Sequence, residues 1–111
     1  MVRDEQARVL LTSMVGCLFA RGIYGDEVLS DCLRSLGRTL LADNLGRVSR
    51  RVQQLRWKIR LGTGFDPRTV TIPRRFYEVE TWRGRIDGTY LDALKDAYAR
   101  AVLELAHGGA D

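Results

Sequence analysis

The chain has 111 residues, 45% hydrophobic and 29% charged, which is the composition of one globular domain. Its formal net charge of +4 is too small to indicate a nucleic-acid or membrane partner. No run of 18 apolar residues is present, which excludes a transmembrane helix. Two cysteines do not make a disulfide framework. We therefore expect one helical domain over residues 1–111, reduced and cytoplasmic.

The first predicted helix covers roughly residues 4–20. Asp4 and Glu5 lie in its first turn, where carboxylates are favourable. Its apolar residues are spaced by three and four: Leu10, Leu11, Met14, Leu18 and Phe19. The segment Met14-Val15-Gly16-Cys17 is similar to a lipoprotein cleavage box. The region before it lacks the net positive charge of a signal peptide, so we do not expect export.

Two further helices follow in the prediction. Asp26 caps the second, which ends at Gly37 and has Leu29, Cys32, Leu33 and Leu36 on its apolar face. Thr39 is the predicted cap of the third, which Gly62 and Gly64 terminate. Its apolar residues are spaced by 4, 3, 4, 3 and 4, which predicts a core-facing stripe: Leu41, Leu45, Val48, Val52, Leu55 and Ile59.

Residues 62–86 contain both prolines and are predicted to be ordered but irregular, with a short extended stretch between Phe76 and Trp82. Asp87 is the predicted cap of a fourth helix. Its apolar residues again recur at spacings of three and four: Leu91, Leu94, Tyr98, Ala101 and Leu105. The expected fold class is all-α, with about four helices and a Gly- and Pro-containing segment between helices three and four.

Cys17 is the candidate site residue, since a thiolate is the usual ligand of an iron–sulfur cluster. Gly16 beside it removes a side chain, which would let a bulky cofactor approach. Arg21, one helical turn on, would favour the thiolate. A lone cysteine is more often a small buried residue, and this alternative stays open on the residues alone. We expect Cys32 in the core and His107, the only histidine, in solvent.

A basic stretch on the third helix has no acidic residue within it: Arg47, Arg50, Arg51, Arg56, Lys58 and Arg60. Clustered cations can bind nucleic acid through counterion release. The same pattern is typical of a solvated helix face or one docked on an acidic protein, and no nucleic-acid-binding motif accompanies it. Trp57 lies off the apolar stripe and is a candidate interface anchor.

Three segments in this order resemble the C-terminal domain of aldehyde ferredoxin oxidoreductases, over roughly residues 5–105. They are Cys17-Leu-Phe-Ala-Arg-Gly, the helix and loop from Leu55 to Asp66, and Ile72-Pro73-Arg-Arg-Phe76. The family's motif here is Asp-x-x-Gly-Leu-Cys. This chain has Thr12 for the aspartate, Val15 for the glycine and Gly16 for the leucine, but retains the cysteine. It also has Trp57, Arg60 and Gly62 where the family commonly has Arg, Asn and Arg.

The resemblance implies that Cys17 is one ligand of a 4Fe-4S cluster. It also implies that the domain closes over a tungsten or molybdenum pterin in an enzyme that oxidises aldehydes to carboxylates and passes electrons to ferredoxin. The other cluster ligands and the pterin site would belong to remaining domains or to a larger catalytic subunit. The isolated chain is expected to hold no cofactor and to be inactive. The alternative is a non-catalytic helical module that docks on nucleic acid or an acidic protein through its basic third helix.

Overall fold

Helices account for most of the chain, as the apolar spacing predicts. The computed structural model describes residues 2–108. Within them are six α-helices and one short antiparallel hairpin: α1 (Val2–Ser13), α2 (Asp26–Ser35), α3 (Thr39–Asp43), α4 (Leu45–Gly62), α5 (Arg75–Glu78), β1 (Glu80–Thr81), β2 (Gly84–Arg85) and α6 (Gly88–His107). The segment predicted as irregular contains α5, the hairpin and a 3₁₀ turn, Pro67–Thr69.

Helix α1 ends seven residues earlier than predicted, at Ser13. Two hydrogen bonds close its last turn: Val15 N donates to Thr12 O at 3.1 Å, and Gly16 N donates to Leu11 O at 2.9 Å. This is the Schellman pattern, which requires a left-handed residue directly after the helix cap. Val15 takes that conformation, with φ of 59°. The sequence did not predict this end because the position normally belongs to glycine.

Gly16 allows the backbone to pack against the end of α1. A Cβ atom at this position would lie 2.3 Å from Leu11 Cδ1, closer than any real contact. The missing side chain is therefore needed by the chain's own helix end. The packing of Gly16 against Leu11 therefore does not support the expectation that Gly16 makes room for a cofactor.

The predicted third helix is interrupted, and forms α3 and α4. The break is at Asn44, with φ of −112° and ψ of 16°, whose Nδ2 donates to Leu40 O at 2.8 Å. Asparagine side chains compete with the helical backbone in this way. Termination at Gly62 is confirmed, and Gly64 follows with φ of 90°. The predicted cap of α6 is also confirmed, since Asp87 Oδ1 accepts from Thr89 N at 2.9 Å.

The buried apolar side chains form two clusters at opposite halves of α4. One joins α1, α2, α3 and the first turn of α4 through Leu10, Leu29, Leu33, Ala42 and Leu45. The other joins the second half of α4 to α6 through Trp57, Val102, Leu105 and Ala106. Between them the buried face of α4 is polar, because Ser49, Gln53 and Gln54 point inward.

The predicted core stripe of the third helix is therefore wrong at three of its six positions. Leu45 is buried, but Val48, Leu55 and Ile59 face solvent, with Ile59 68% exposed. Trp57, predicted to lie off the core face, is only 6% exposed. Helix α4 is turned so that its polar and aromatic residues meet α1 and α6, and its regular apolar stripe is left outside.

Helices α1, α4 and α6 meet at one carboxylate. Glu5 Oε2 accepts from Gln53 Nε2 at 3.1 Å and from the Tyr98 hydroxyl at 3.0 Å. Gln53 Nε2 also donates to Val2 O at 3.3 Å. Burial, and then the hydrogen bond to Glu5, raise the pKa of Tyr98 to about 12. This cluster links residues that are 48 and 93 positions apart in the chain.

The molecule is flat and open for its length. Its radius of gyration is 17.2 Å and its extents are 52 × 36 × 19 Å, whereas a compact domain of this length has a radius of about 13 Å. Its accessible surface is 8425 Å², against about 6,200 Å² for a typical monomer of this mass. Many large apolar side chains contribute to this exposed surface.

Replacing Val15 with glycine should stabilise the fold. The left-handed conformation costs an L-residue about 1–2 kcal/mol, and Val15 is 94% exposed, so little packing is lost. Allowing for glycine's entropy in the unfolded chain, we expect Val15→Gly to raise the free energy of unfolding by about 1 kcal/mol. Urea denaturation measures it. The matched control is Gly37→Val, at the equivalent position after α2, where φ is 71°. This control should lower the free energy of unfolding. A loss of stability in Val15→Gly would contradict the left-handed conformation assigned to Val15.

Tyr98 should make the stability fall at alkaline pH. Its pKa of about 12 in the folded state exceeds the value of about 10 expected for an unfolded tyrosine. The stabilisation from its neutral hydroxyl is therefore complete below pH ~10 and is lost as pH rises towards ~12. The stability difference between wild type and Tyr98→Phe should shrink over this range in urea titrations. Tyr90→Phe, at an exposed position of α6, is the control and should keep the wild-type pH dependence.

Candidate functional site

Cys17 lies in an exposed turn between α1 and α2. It is the residue before the 3₁₀ turn Leu18–Ala20, with extended backbone angles of −71° and 126°. Its carbonyl oxygen accepts from Ala20 N at 3.0 Å, and its side chain is exposed. Because Cys17 precedes the turn, the predicted shared helical face with Arg21 is wrong. The alternative of a buried structural cysteine is also wrong.

The residues around Cys17 present apolar side chains to solvent. Residues 14–24, named here the Cys17 segment, include Val15 at 94% and Phe19 at 97% exposure. Met14, Ile23 and Tyr24 are also exposed. An exposed apolar segment of this size is typical of a protein–protein contact. Met14 and Phe19 were predicted to lie on the core face of the first helix. Because α1 ends at Ser13, both lie beyond the helix and are exposed.

The described residues do not form a complete metal site. No group of three or more His, Cys, Asp or Glu side chains is placed to hold a metal ion among residues 2–108. A cubane cluster takes four ligands, usually cysteine thiolates. Cys17 has the right donor atom and is accessible, so it could supply one ligand, with the others coming from a second chain or from other domains. No chemical step is therefore derived from this chain's residues alone.

Cys32 is exposed, which corrects the expectation that it lies in the core. Leu29 and Leu33 fill the inward face of α2, and Cys32 lies to one side of them. There it lines an open groove on the outer face of the helix with Val28, Asp31, Ser35 and Leu36. Leu36, predicted as apolar core, is 75% exposed.

The basic side chains of α4 are exposed, as predicted, and the helix contains no acidic residue. Arg51 Nη1 donates to Gln54 Oε1 at 2.8 Å. The Arg60 guanidinium lies 4.3 Å from the centre of the Phe65 ring and 5.6 Å from that of Trp57, so its charge is stacked on aromatic faces. The apolar stripe of α4 lies exposed between the cations.

Trp57 is not an exposed anchor. Its ring packs 6.1 Å from Phe65 and 6.3 Å from Tyr98, measured between centroids, and its buried Nε1 has no hydrogen-bond partner within the described residues. The exposed tryptophan is Trp82, 87% exposed at the hairpin tip with the Arg83 guanidinium 4.4 Å from its ring. The sequence pattern did not single out Trp82, although Gly84, two residues further on, is a turn signal.

The loops that carry the family resemblance are ordered. Asp66 caps the turn Pro67–Thr69 by accepting from Arg68 N at 2.9 Å, and its hydrogen bonds to Arg68 lower the pKa of its carboxyl. Pro67 is buried, and this turn packs on α6. Phe76 is half exposed. His107 is exposed in the last turn of α6, where a cation is favourable.

Among residues 2–108, every helix falls short of the length or the apolar character needed to cross a membrane. Comparison of the chain with protein-family models, with curated proteins and with solved structures found no match.

Both cysteines should react with a thiol reagent in the native protein. The sequence predicted Cys17 rather than Cys32 as the reactive thiol, because Cys32 was expected in the core, but both side chains are exposed. Labelling of Cys17→Ser and Cys32→Ser with a maleimide, followed by intact-mass measurement, should give one modification in each before unfolding. Protection of the remaining Cys32 in Cys17→Ser until denaturant is added would contradict the placement of α2.

Proposed function

We propose that this chain is the C-terminal domain, or a small subunit, of an enzyme similar to aldehyde ferredoxin oxidoreductases, and that it completes the enzyme by docking on a larger catalytic chain. The observation that carries the proposal is the exposed thiol of Cys17 beside the exposed side chains of Val15 and Phe19. A cluster ligand supplied to another chain must lie on the surface, and the surface around it must suit a protein contact.

The backbone after α1 supports the resemblance independently of side-chain identity. The family's motif has glycine two residues before its cysteine, at the position of Val15. In this structure that position has φ of 59°, the conformation that glycine adopts without strain. The chain therefore keeps the backbone shape that the family's glycine would favour, although the residue differs.

In this proposal Cys17 supplies one thiolate, and the metal-pterin and the remaining cluster ligands belong to the larger chain. The cluster, when bound, would carry single electrons from the pterin to ferredoxin. The role of this chain is to hold the Cys17 thiolate in place. The Schellman motif at the end of α1 and the 3₁₀ turn that follows would do so. Its apolar segment would also exclude water from the contact.

The test uses the tagged 111-residue chain, purified without oxygen from its native host. We expect a larger chain to co-purify with tungsten or molybdenum, iron and aldehyde-oxidising activity. Cys17→Ser should lose the iron–sulfur signal in electron paramagnetic resonance and most of the activity, while Cys32→Ser should keep both. The isolated chain should be inactive.

Phe19→Asp separates docking from ligation, because it places a charge in the apolar segment and leaves the thiol in place. It should reduce co-purification of the larger chain. A complex without metal, or a Cys17→Ser complex with an unchanged cluster signal, would contradict the proposal.

A second function is supported by a different observation, the six exposed cations of the acid-free helix α4. In this alternative the chain is a non-catalytic module that binds nucleic acid or an acidic protein. Binding of a DNA or RNA duplex, measured by fluorescence anisotropy, would then fall steeply with added salt. It would also weaken in Arg47→Glu and persist in Cys17→Ser.

A further inference from the structure

The outer face of α4 is an apolar stripe with cations along both edges. Val48, Val52, Leu55 and Ile59 are spaced by 4, 3 and 4, so they lie in one row on the helix. At 100° per residue, Arg47, Arg51 and Lys58 fall on one side of that row, and Arg56 and Arg60 fall on the other. The exposed fraction is 44% for Leu55 and 68% for Ile59. This row is as regular as a helix–helix contact, and its members other than the half-buried Val52 are exposed.

The outer face of α2 has the same form with the opposite charge. Val28, Cys32 and Leu36 are four residues apart and exposed. They line the open groove of that helix together with Asp31. At 100° per residue, Asp31 and Glu27 fall on one side of this row, the same rotational side that Arg47 and Arg51 occupy on α4. Asp31 Oδ1 also lies 3.4 Å from Arg34 Nη1, in an exposed ion pair within α2.

The rotational side decides the direction in which the two helices could pair. When two helices face each other antiparallel, edges on the same rotational side meet; when they are parallel, opposite edges meet. Antiparallel pairing of α2 with α4 would therefore place the Asp31 edge beside the edge that carries three cations. Parallel pairing would place it beside Arg56 and Arg60, and the Arg60 guanidinium already lies over the Phe65 and Trp57 rings. Antiparallel pairing is therefore the better electrostatic match. Pairing of α4 with another α4 in this way would place cations against cations.

We propose that the outer face of α4 is an interface between two copies of this chain, on which α2 of the second copy packs antiparallel. The accessible surface of the whole chain exceeds that of a typical monomer by roughly 2,200 Å². This excess, which also includes the Cys17 segment, is larger than the ~800 Å² that each partner buries in a stable interface. This interface does not use the Cys17 segment. The inference therefore stands or fails independently of docking on a catalytic chain.

A disulfide test locates the contact. The variant Cys17→Ser, Leu55→Cys retains the native Cys32 on α2. Under mild oxidation it should form a two-chain product on a non-reducing gel. Replacing Cys32 with serine in that variant should remove the product, since α4 does not face α4. The control variant Cys17→Ser, Arg100→Cys places the new thiol at an exposed position of α6 and should cross-link much more slowly.

A charge exchange tests the direction. Sedimentation of the wild-type chain should show a dimer at concentrations up to about 100 µM. Arg51→Glu with Lys58→Glu should raise the dimer dissociation constant about tenfold, as should Glu27→Lys with Asp31→Lys. An equimolar mixture of the two variants should recover association. All these positions are exposed, and circular dichroism should show unchanged folding.

The proposal is overturned if the wild type remains a monomer, or if the mixture associates no better than either variant. It is also overturned if the Leu55→Cys product forms no faster than the Arg100→Cys product. If the chain is instead a monomer that binds nucleic acid, and the variant Arg51→Glu, Lys58→Glu loses this binding, the outer face of α4 binds nucleic acid and not a second copy of the chain.

Discussion

The carboxylate of Glu5 fixes how the three long helices meet. It accepts hydrogen bonds from Gln53 on α4 and Tyr98 on α6, and hydrogen bonds to a charged group each contribute about 1.5–3 kcal/mol. Because Gln53 must face α1 to make its bond, the residue one turn later, Trp57, faces α6. The arrangement has a cost, since Gln53 Oε1 and Trp57 Nε1 are buried without a partner within the described residues.

The orientation of α4 explains why the molecule has so much apolar surface. A helix has one apolar stripe available for the core, and here the core contact is made by glutamines and a tryptophan instead. The regular stripe ending at Ile59 is consequently left in solvent, bordered by arginines and a lysine. Exposed apolar surface of this kind often marks a protein–protein contact, and here it accompanies an open molecular shape.

The Cys17 segment has a different origin, which is local. Helix α1 ends in a Schellman motif with Val15 in the left-handed conformation. Gly16 packs closely against Leu11, which fixes the direction in which the chain leaves the helix. The residues that would have extended the helix then form an exposed turn. The same local geometry that ends the helix therefore exposes the thiol of Cys17 and the ring of Phe19.

The sequence by itself determined the mainly helical class, the end of α4 at Gly62, the cap at Asp87 and the exposure of the basic side chains. These follow from local spacing and from residues with one strong backbone preference. Only the tertiary structure decided which face of α4 is buried and that Cys32 is exposed. Periodicity shows that a helix has an apolar face, but it does not show whether that face meets this chain's own core or a partner. The bonds from Gln53 to α1 made that choice, between residues far apart in sequence.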